Sequence, residues 1–299
     1  MHVTPGARLR VERLATAQAF LDVAGSFLAE REAEHNLIFG ISANLIADPS
    51  FAAAPPYLGA VIDAGRVVAA GIMTPPWNIV LSCVDDPDAV DDDDALIALA
   101  GDLDDGGVSV PGTTSPVESA QAFARVWCDV HGLASRLVMA ERIYRLERVI
   151  TPVDVSGGAR VATEADRDLL IAWVDAFLGE ALDRQGPDEA SVLVDRAFRT
   201  GSRTWYLWED GAPVSVAAAG GPTPNGIRIG PVYTPPELRR RGYASAVTAY
   251  ASQTELDKGR RFIFLFTNLA NLTANRIYQQ IGYEPVIDVD QIVFETPAG

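Results

Sequence analysis

The sequence predicts an α/β protein of two similar domains in tandem, each a mixed sheet with helices on both faces. Three observations carry that expectation. The chain has 299 residues and 48% hydrophobic content, a length that suits two domains of about 150 residues better than one. Residues 150–158 gather Pro152, Ser156, Gly157 and Gly158 at the midpoint, a composition that reads as a linker. On either side the order of patterns is alike: a helical opening, two or three strands, a helix, a short strand, another helix and a closing strand. The expected domains are 1–150 and 151–299. Residues 63–71, followed by Thr74-Pro75, also parallel 210–220, followed by Thr223-Pro224, as an internal repeat would.

In the second half, residues 166–182 place Leu169, Leu170, Trp173, Phe177 and Leu178 at helical spacing. Residues 205–208 (Trp-Tyr-Leu-Trp) are apolar on both faces, as in a central strand, and Glu209-Asp210-Gly211 supplies the turn. Residues 214–219 and 227–233 read as the next two strands. A long helix is expected over 238–256, with Val247, Tyr250 and Ala251 on its buried stripe. Residues 262–266 (Phe-Ile-Phe-Leu-Phe) form a buried strand, 273–281 a short helix, and Phe294 lies in the closing strand.

A formal charge of −16 and a pI near 4.5 repel phosphate backbones, so nucleic acid is not expected as a partner. Lys258 is the single lysine, which leaves arginine, the residue suited to bidentate pairing with carboxylates and phosphates, as the source of positive charge. Cys83 and Cys128 have neither zinc nor redox spacing, and a reducing cytoplasm is the expected compartment. No signal-peptide pattern or run of membrane-spanning length is read, so no membrane partner is expected. Asn271-Leu272-Thr273 matches a glycosylation sequon without the secretory context that would give it meaning.

Two segments carry chemistry. In residues 232–244 a strand ends at Val232, Tyr233 and Thr234, two prolines turn the chain, and a helix opens at Arg239, Arg240, Arg241, Gly242, Tyr243 and Ala244. A helix N-terminus exposes unpaired N–H groups and partial positive charge. Arginines there oppose the dipole by about 0.3–1 kcal/mol each, a conflict that a bound polyanion removes. Gly242 permits close backbone approach and Ala244 keeps the first turn thin. In residues 265–283 a strand leads through a polar loop to a helix with Asn271 as N-cap, Asn275 and Tyr278 on one face, Ile277 and Ile281 on another, and a stop at Gly282.

Together these segments resemble the GNAT superfamily of acetyl-CoA-dependent N-acetyltransferases, over roughly residues 158–295. Arg239, Gly242 and Ala244 fit its Arg/Gln-x-x-Gly-x-Gly/Ala signature, and Asn275, Tyr278 and Ile281-Gly282-Tyr283 fit its later helix; Thr234-Pro235-Pro236-Glu237 is similar to a bacterial branch. The resemblance implies two tandem domains of α+β type, each with a mostly antiparallel twisted sheet flanked by helices. It implies acetyl-CoA as co-substrate and no metal. The CoA pyrophosphate would rest on N–H groups from Arg239 to Ala244, aided by the arginine side chains. The pantetheine arm would bond backbone near Val232 and Thr234, with Asn275 and the Asn271 cap beside it. An N–H near Val232 or Tyr233 would stabilise the oxyanion, and Tyr278 would protonate the leaving thiolate.

The strand 227–232 carries no carboxylate, so the general base is left to a water chain or to Asp175 or Glu180. The acceptor is expected to be a small-molecule amine, such as a polyamine, an aminoglycoside-like or an amino-acid-derived amine; a protein amine, another acyl-CoA donor, or cofactor binding without turnover stay open. The loop lacks both G-x-x-x-x-G-K-[ST] and G-x-G-x-x-G, which sets nucleotide and phosphotransfer readings aside.

In the first half the corresponding loop carries Asp85, Asp86, Asp88 and Asp91 to Asp94, and no Arg or Lys occurs from Leu81 through Ala120. It would repel a pyrophosphate. Without EF-hand spacing it reads as a solvated acidic loop. The first half is therefore expected to be a degenerate, non-catalytic copy that shapes the acceptor cleft. His35 could line such a cleft or be structural; His2 lies at the terminus, and His131 is expected to end a helix beside Gly132.

Overall fold

A computed structural model describes residues 9–83, 92–182 and 187–297. The chain forms two compact units: 1–143 with 268–270 and 286–299, and 144–267 with 271–285. Strands β1 (Arg10–Arg13), β2 (Tyr57–Asp63), β3 (Arg66–Met73) and β4 (Val80–Leu81) form an antiparallel sheet in sequence order in unit 1. Side chains alternate along β2. Leu58 and Ala60 pack under α1 (Ala17–Glu30) and α2 (Asn36–Ala47), while Tyr57 and Val61 pack against α3 (Asp92–Asp105) and α4 (Val117–His131). This period of two puts one core on each face of the sheet. Strand β5 (Gly112–Pro116) meets the end of this sheet through a parallel bridge, Ile79 to Thr113, and is followed laterally by β12 (Glu284–Glu295) and then β6 (Ala134–Leu146).

Unit 2 repeats the plan. Strands β7 (Gly158–Val161), β8 (Arg203–Glu209), β9 (Pro213–Gly220) and β10 (Gly226–Tyr233) are antiparallel neighbours, and β11 (Phe262–Asn268) lies parallel to β10, with the end of β6 beyond it. Helices α5 (Arg167–Leu182) and α6 (Pro187–Thr200) cover the face that carries Trp205, Leu207, Val216 and Ala218. Helices α7 (Tyr243–Asp257) and α8 (Leu272–Ile281) cover the face with Tyr206, Ala217, Ile227 and Ile263. The expected strand at 205–208 is thus buried on both faces. Each large side chain removed from water there contributes roughly 1.5–3 kcal/mol.

The echoed segments become equivalent hairpins, β2 to β3 through Ala64-Gly65 and β8 to β9 through Gly211, with the turn residues at positive φ. Residues 147–157 carry no regular element. Two expectations need correction. The helix anticipated from 238 starts at Tyr243, because a 3-10 turn (Pro236–Leu238) is followed by extended Arg239 and by Arg240 at φ 65°. Tyr250, expected on the buried stripe, is exposed and sets its ring edge-on to Tyr206. Helix α6 has no counterpart in the sequence reading. Of the acidic loop, Asp85, Asp86, Asp88 and Asp91 lie outside the described residues, and Asp94 is exposed.

Candidate active site

The site is assembled where β10 leaves its neighbour. The parallel ladder to β11 pairs Gly226 with Phe262, Ile227 with Ile263 and Arg228 with Phe264; among the described residues no pair follows, so the strands fork beyond Arg228. On the other side, register with β9 slips between Ile229 and Val232. A bulge of this kind re-aims side chains. Ile229 and Val232 both lie in the α7/α8 core, and Tyr233 lies in the α5/α6 core.

At the end of β10, helix α7 begins without a capping side chain. Its N-cap is Gly242 at φ 84°, and the first helical bond runs from Ala246 N–H to Gly242 C=O (2.9 Å). Among the described residues, the N–H groups of Arg240, Arg241, Gly242, Tyr243, Ala244 and Ser245 have no hydrogen-bond partner. A Ser or Asp cap would have satisfied part of this row; glycine leaves all of it available to an anion. Gly242 is also required locally, since a Cβ there would lie 2.8 Å from Val155 Cγ2.

Arg240 and Arg241 are exposed. Arg239 is committed elsewhere: its guanidinium donates to Thr234 C=O (2.9 Å) and to the Glu180 carboxylate (2.6 Å) and sits over the Tyr233 ring. The structure therefore ties Glu180, one of the two base candidates, to Arg239. Asp175, the other, lies on α5. Tyr233 is buried against Trp173, and burial raises its phenol. The Thr234 and Ser215 hydroxyls pair at 2.8 Å, and Ser215 donates to Tyr233 C=O. Tyr243 donates to Asp210 (2.6 Å); that bond, a second from Ser156 and nearby Arg241 hold the Asp210 carboxyl below the usual range.

Helix α8 is held at both ends. Asn271 accepts from Ala274 N–H (3.0 Å), and Gly282 closes the C-terminus at φ 109°. Asn275 donates to Asn271 C=O (2.8 Å) and accepts from Tyr144 (2.9 Å). Tyr144, buried at the end of β6, was not found by sequence reasoning, because it lies in the first half of the chain with no spacing relation to the motifs. Tyr278, half-buried, packs in the core that also holds Val232 and meets Tyr283 edge-on. Among the described residues its hydroxyl has no hydrogen-bond partner. Burial pushes its pKa up to about 12, so at neutral pH it holds its proton. A recess of about 510 Å³ at the C-terminal end of α8, lined by Arg145, Arg148, Gln279 and Glu284 among others, contains none of the proposed cofactor-binding residues. Concavity alone does not mark this site.

In unit 1, His35 is structural. Its Nδ1 lies 2.9 Å from Leu28 C=O, and Cys83 N–H donates to its Nε2 (2.9 Å). This fixes a neutral tautomer with the proton on Nδ1. Burial, outweighing the bond to Leu28, lowers its pKa to about 4. His131 ends α4 before Gly132 as expected.

Residues 168–283 match the model of the acetyltransferase (GNAT) family. Within that span the chain is similar to a GNAT acetyltransferase domain. A GCN5-related N-acetyltransferase from Sphaerobacter thermophilus is similar in fold, with a TM-score of 0.60 at 15% identity, covering 98% of this chain and 97% of that one. A tandem GNAT protein from the clavulanic acid biosynthesis pathway gives 0.56 at 14% identity, covering 97% and 99%. A GCN5-related N-acetyltransferase from Kribbella flavida gives 0.52 at 20% identity, covering 78% and 88%. No curated protein matches the chain. These likenesses are of fold, and the two-unit plan agrees with that of the tandem protein.

Proposed function

We propose that this enzyme transfers an acetyl group from acetyl-CoA to the amine of a small-molecule acceptor, by direct attack in a ternary complex and without a metal. The observation that carries the reading is the row of bare N–H groups from Arg240 to Ser245 beside the open fork between β10 and β11. Oriented donors at an uncapped helix end suit a pyrophosphate, with Arg240 and Arg241 adding charge from exposed positions. Beyond Arg228 the described ladder between β10 and β11 ends, an opening suited to an extended amide-bearing arm.

In the reaction the acceptor nitrogen attacks the thioester carbonyl carbon, the C–S bond breaks, and an amide forms. An N–H near Val232 or Tyr233 stabilises the oxyanion. Tyr278, neutral through the physiological range, gives its proton to the departing thiolate sulfur, and the acceptor nitrogen loses one to water. Asn275 orients the arm after exchanging one of its present bonds, to Tyr144 or to Asn271 C=O. Residues 151–299 supply this machinery, and residues 1–150 form a non-catalytic copy of the same fold. Both cysteines are free thiols, in keeping with a reducing cytoplasm. No helix among the described residues is long and apolar enough to cross a membrane.

The test is thiol release from acetyl-CoA across a panel of amines. Amine-dependent release in the wild type, lost in Tyr278→Phe while acetyl-CoA still binds, supports the reading. Binding without release from any amine, protein amines included, contradicts it.

A further inference from the structure

A line of hydrogen bonds runs from Asn271 through Asn275 and Tyr144 to Gln279, all within unit 2. Asn275 stands one helical turn before Tyr278, so the two share a face of α8. Tyr278 packs in the core that also holds Val232 of β10, which brings this face to the strand that forks. Tyr144 approaches from elsewhere: it lies near the end of β6, the strand beyond β11, and its ring is buried in the same core.

The polarity of the line is fixed by its chemistry. Asn271 C=O can only accept, so the atom of the Asn275 amide 2.8 Å from it is Nδ2. The other amide atom, Oδ1, can only accept, so the Tyr144 hydroxyl 2.9 Å away donates to it. The phenol has one proton, and with that proton committed it accepts from Gln279 Nε2 at 3.2 Å. Reversing the Asn275 amide would set Oδ1 against another acceptor at Asn271. The two bonds of Asn275 are not equally replaceable. Asn271 C=O also accepts the helical N–H of Asn275 (3.1 Å), so it stays satisfied when Nδ2 leaves. Tyr144 is 1% exposed, and moving Oδ1 would take the acceptor from a buried phenol proton, the costlier defect.

We propose that Tyr144 is a positioning residue: it keeps Oδ1 of Asn275 in place while Nδ2 turns from Asn271 C=O to a carbonyl of the pantetheine arm. This rests on the acetyl-transfer reading and deepens it, by assigning which bond of Asn275 is exchanged and which atom meets the arm. The cofactor site then draws on a residue from the N-terminal side of 147–157, the stretch without a regular element. A strand inside the sheet carries that residue, and a rigid element suits a positioning role. Tyr144 touches no reacting atom, so it acts on cofactor affinity and not on the chemical step.

The test titrates acetyl-CoA, and 3′-phospho-ADP as the part of CoA without the arm, into the intact chain by calorimetry. Asn275→Ala and Tyr144→Phe should each weaken acetyl-CoA by about fivefold or more, as loss of a hydrogen bond to the arm predicts. Both should leave 3′-phospho-ADP within about twofold of the wild type. In turnover, Tyr144→Phe should raise KM for acetyl-CoA and leave kcat within about twofold. The double variant should bind no more than about twofold more weakly than Asn275→Ala alone, because the phenol acts only through that amide. Gln279 is exposed, so Gln279→Leu spares the core. It removes the donor at the far end of the line and should weaken acetyl-CoA by about threefold, an effect that disappears in the Asn275→Ala background. That variant decides the question if Tyr144→Phe does not fold. Additive losses in the double variant, an equal loss of 3′-phospho-ADP, or a fall in kcat at unchanged KM overturns the proposal. If Asn275→Ala weakens acetyl-CoA while Tyr144→Phe and Gln279→Leu do not, the positioning role fails and the acetyl-transfer reading stands. If the wild type binds no acetyl-CoA, that reading fails and the positioning role falls with it.

Discussion

Helix α8 of unit 2 and helix α4 of unit 1 follow equivalent strands, yet they offer different chemistry at matching positions. Counting seven residues from the N-cap leads from Asn271 to Tyr278 in one and from Pro116 to Phe123 in the other. Tyr278 keeps a hydroxyl in a half-buried place. Phe123 is fully buried and stacked on Trp127. Counting back from the closing glycines, Gly282 and Gly132, sets Tyr278 against Cys128 and Asn275 against Arg125. Under neither alignment does unit 1 present the Asn and Tyr pair. The same plan has been filled with core packing in one unit and with the proposed proton donor in the other.

The largest expected effect is at that donor. Tyr278→Phe should lower kcat by about 100-fold or more, the usual contribution of a positioned acid, while the dissociation constant of acetyl-CoA changes less than about twofold; equal kcat in a stopped thiol-release assay would make α8 as inert as α4. Next comes the anion loop. Because Arg240 and Arg241 are exposed, reversing both to Glu should weaken acetyl-CoA by about 30-fold or more with an unchanged melting temperature, since each lost charge-assisted contact is worth about 1.5 kcal/mol or more.

The third prediction concerns stability in unit 1. His35 is held neutral in the fold with its pKa near 4, below the ordinary value of about 6.5. Its neutral state is matched above pH 6.5, and the unfolded chain gains a proton that the folded one refuses as pH falls. Stability should therefore decline by up to about 3 kcal/mol between pH 6.5 and 4. Urea midpoints across that range should show the slope in the wild type and a flatter one in His35→Asn, with acetyl-CoA affinity untouched.

The smallest effect is in unit 2. Two hydrogen bonds from Arg160 to Asp166 (2.7 Å each) hold the carboxyl near 2. The folded value is depressed, so the contribution is complete above about pH 4 and is lost as pH falls towards 2. Solvent screening limits it to about 1 kcal/mol. Asp166→Asn should cost that much at pH 7 and almost nothing at pH 2 in the same denaturation experiment.

Much of unit 2 was legible because local chemistry and position coincide. Trp205 to Trp208 and Phe262 to Phe266 are apolar on both faces, and Asn271 and Gly282 mark the ends of α8 within a few residues of sequence. The entry into α7 was misplaced, since helical periodicity says nothing of Arg240 at positive φ. Partnerships across long separations were not legible. Tyr144 on Asn275 and Glu180 on Arg239 each depend on sheet register or helix docking, which no spacing in the chain encodes. The hairpin echo was visible, but the pairing of β12 with β5 joins residues such as Gly112 and Val293, far apart in the sequence, and leaves no local trace.

The most direct test of a single anion-binding fork is the stoichiometry of acetyl-CoA binding by calorimetry on the intact chain. One site per chain is expected, abolished or strongly weakened by reversing Arg240 and Arg241 and unaffected by His35→Asn. Two sites per chain, or one site indifferent to the arginine reversals, would contradict it.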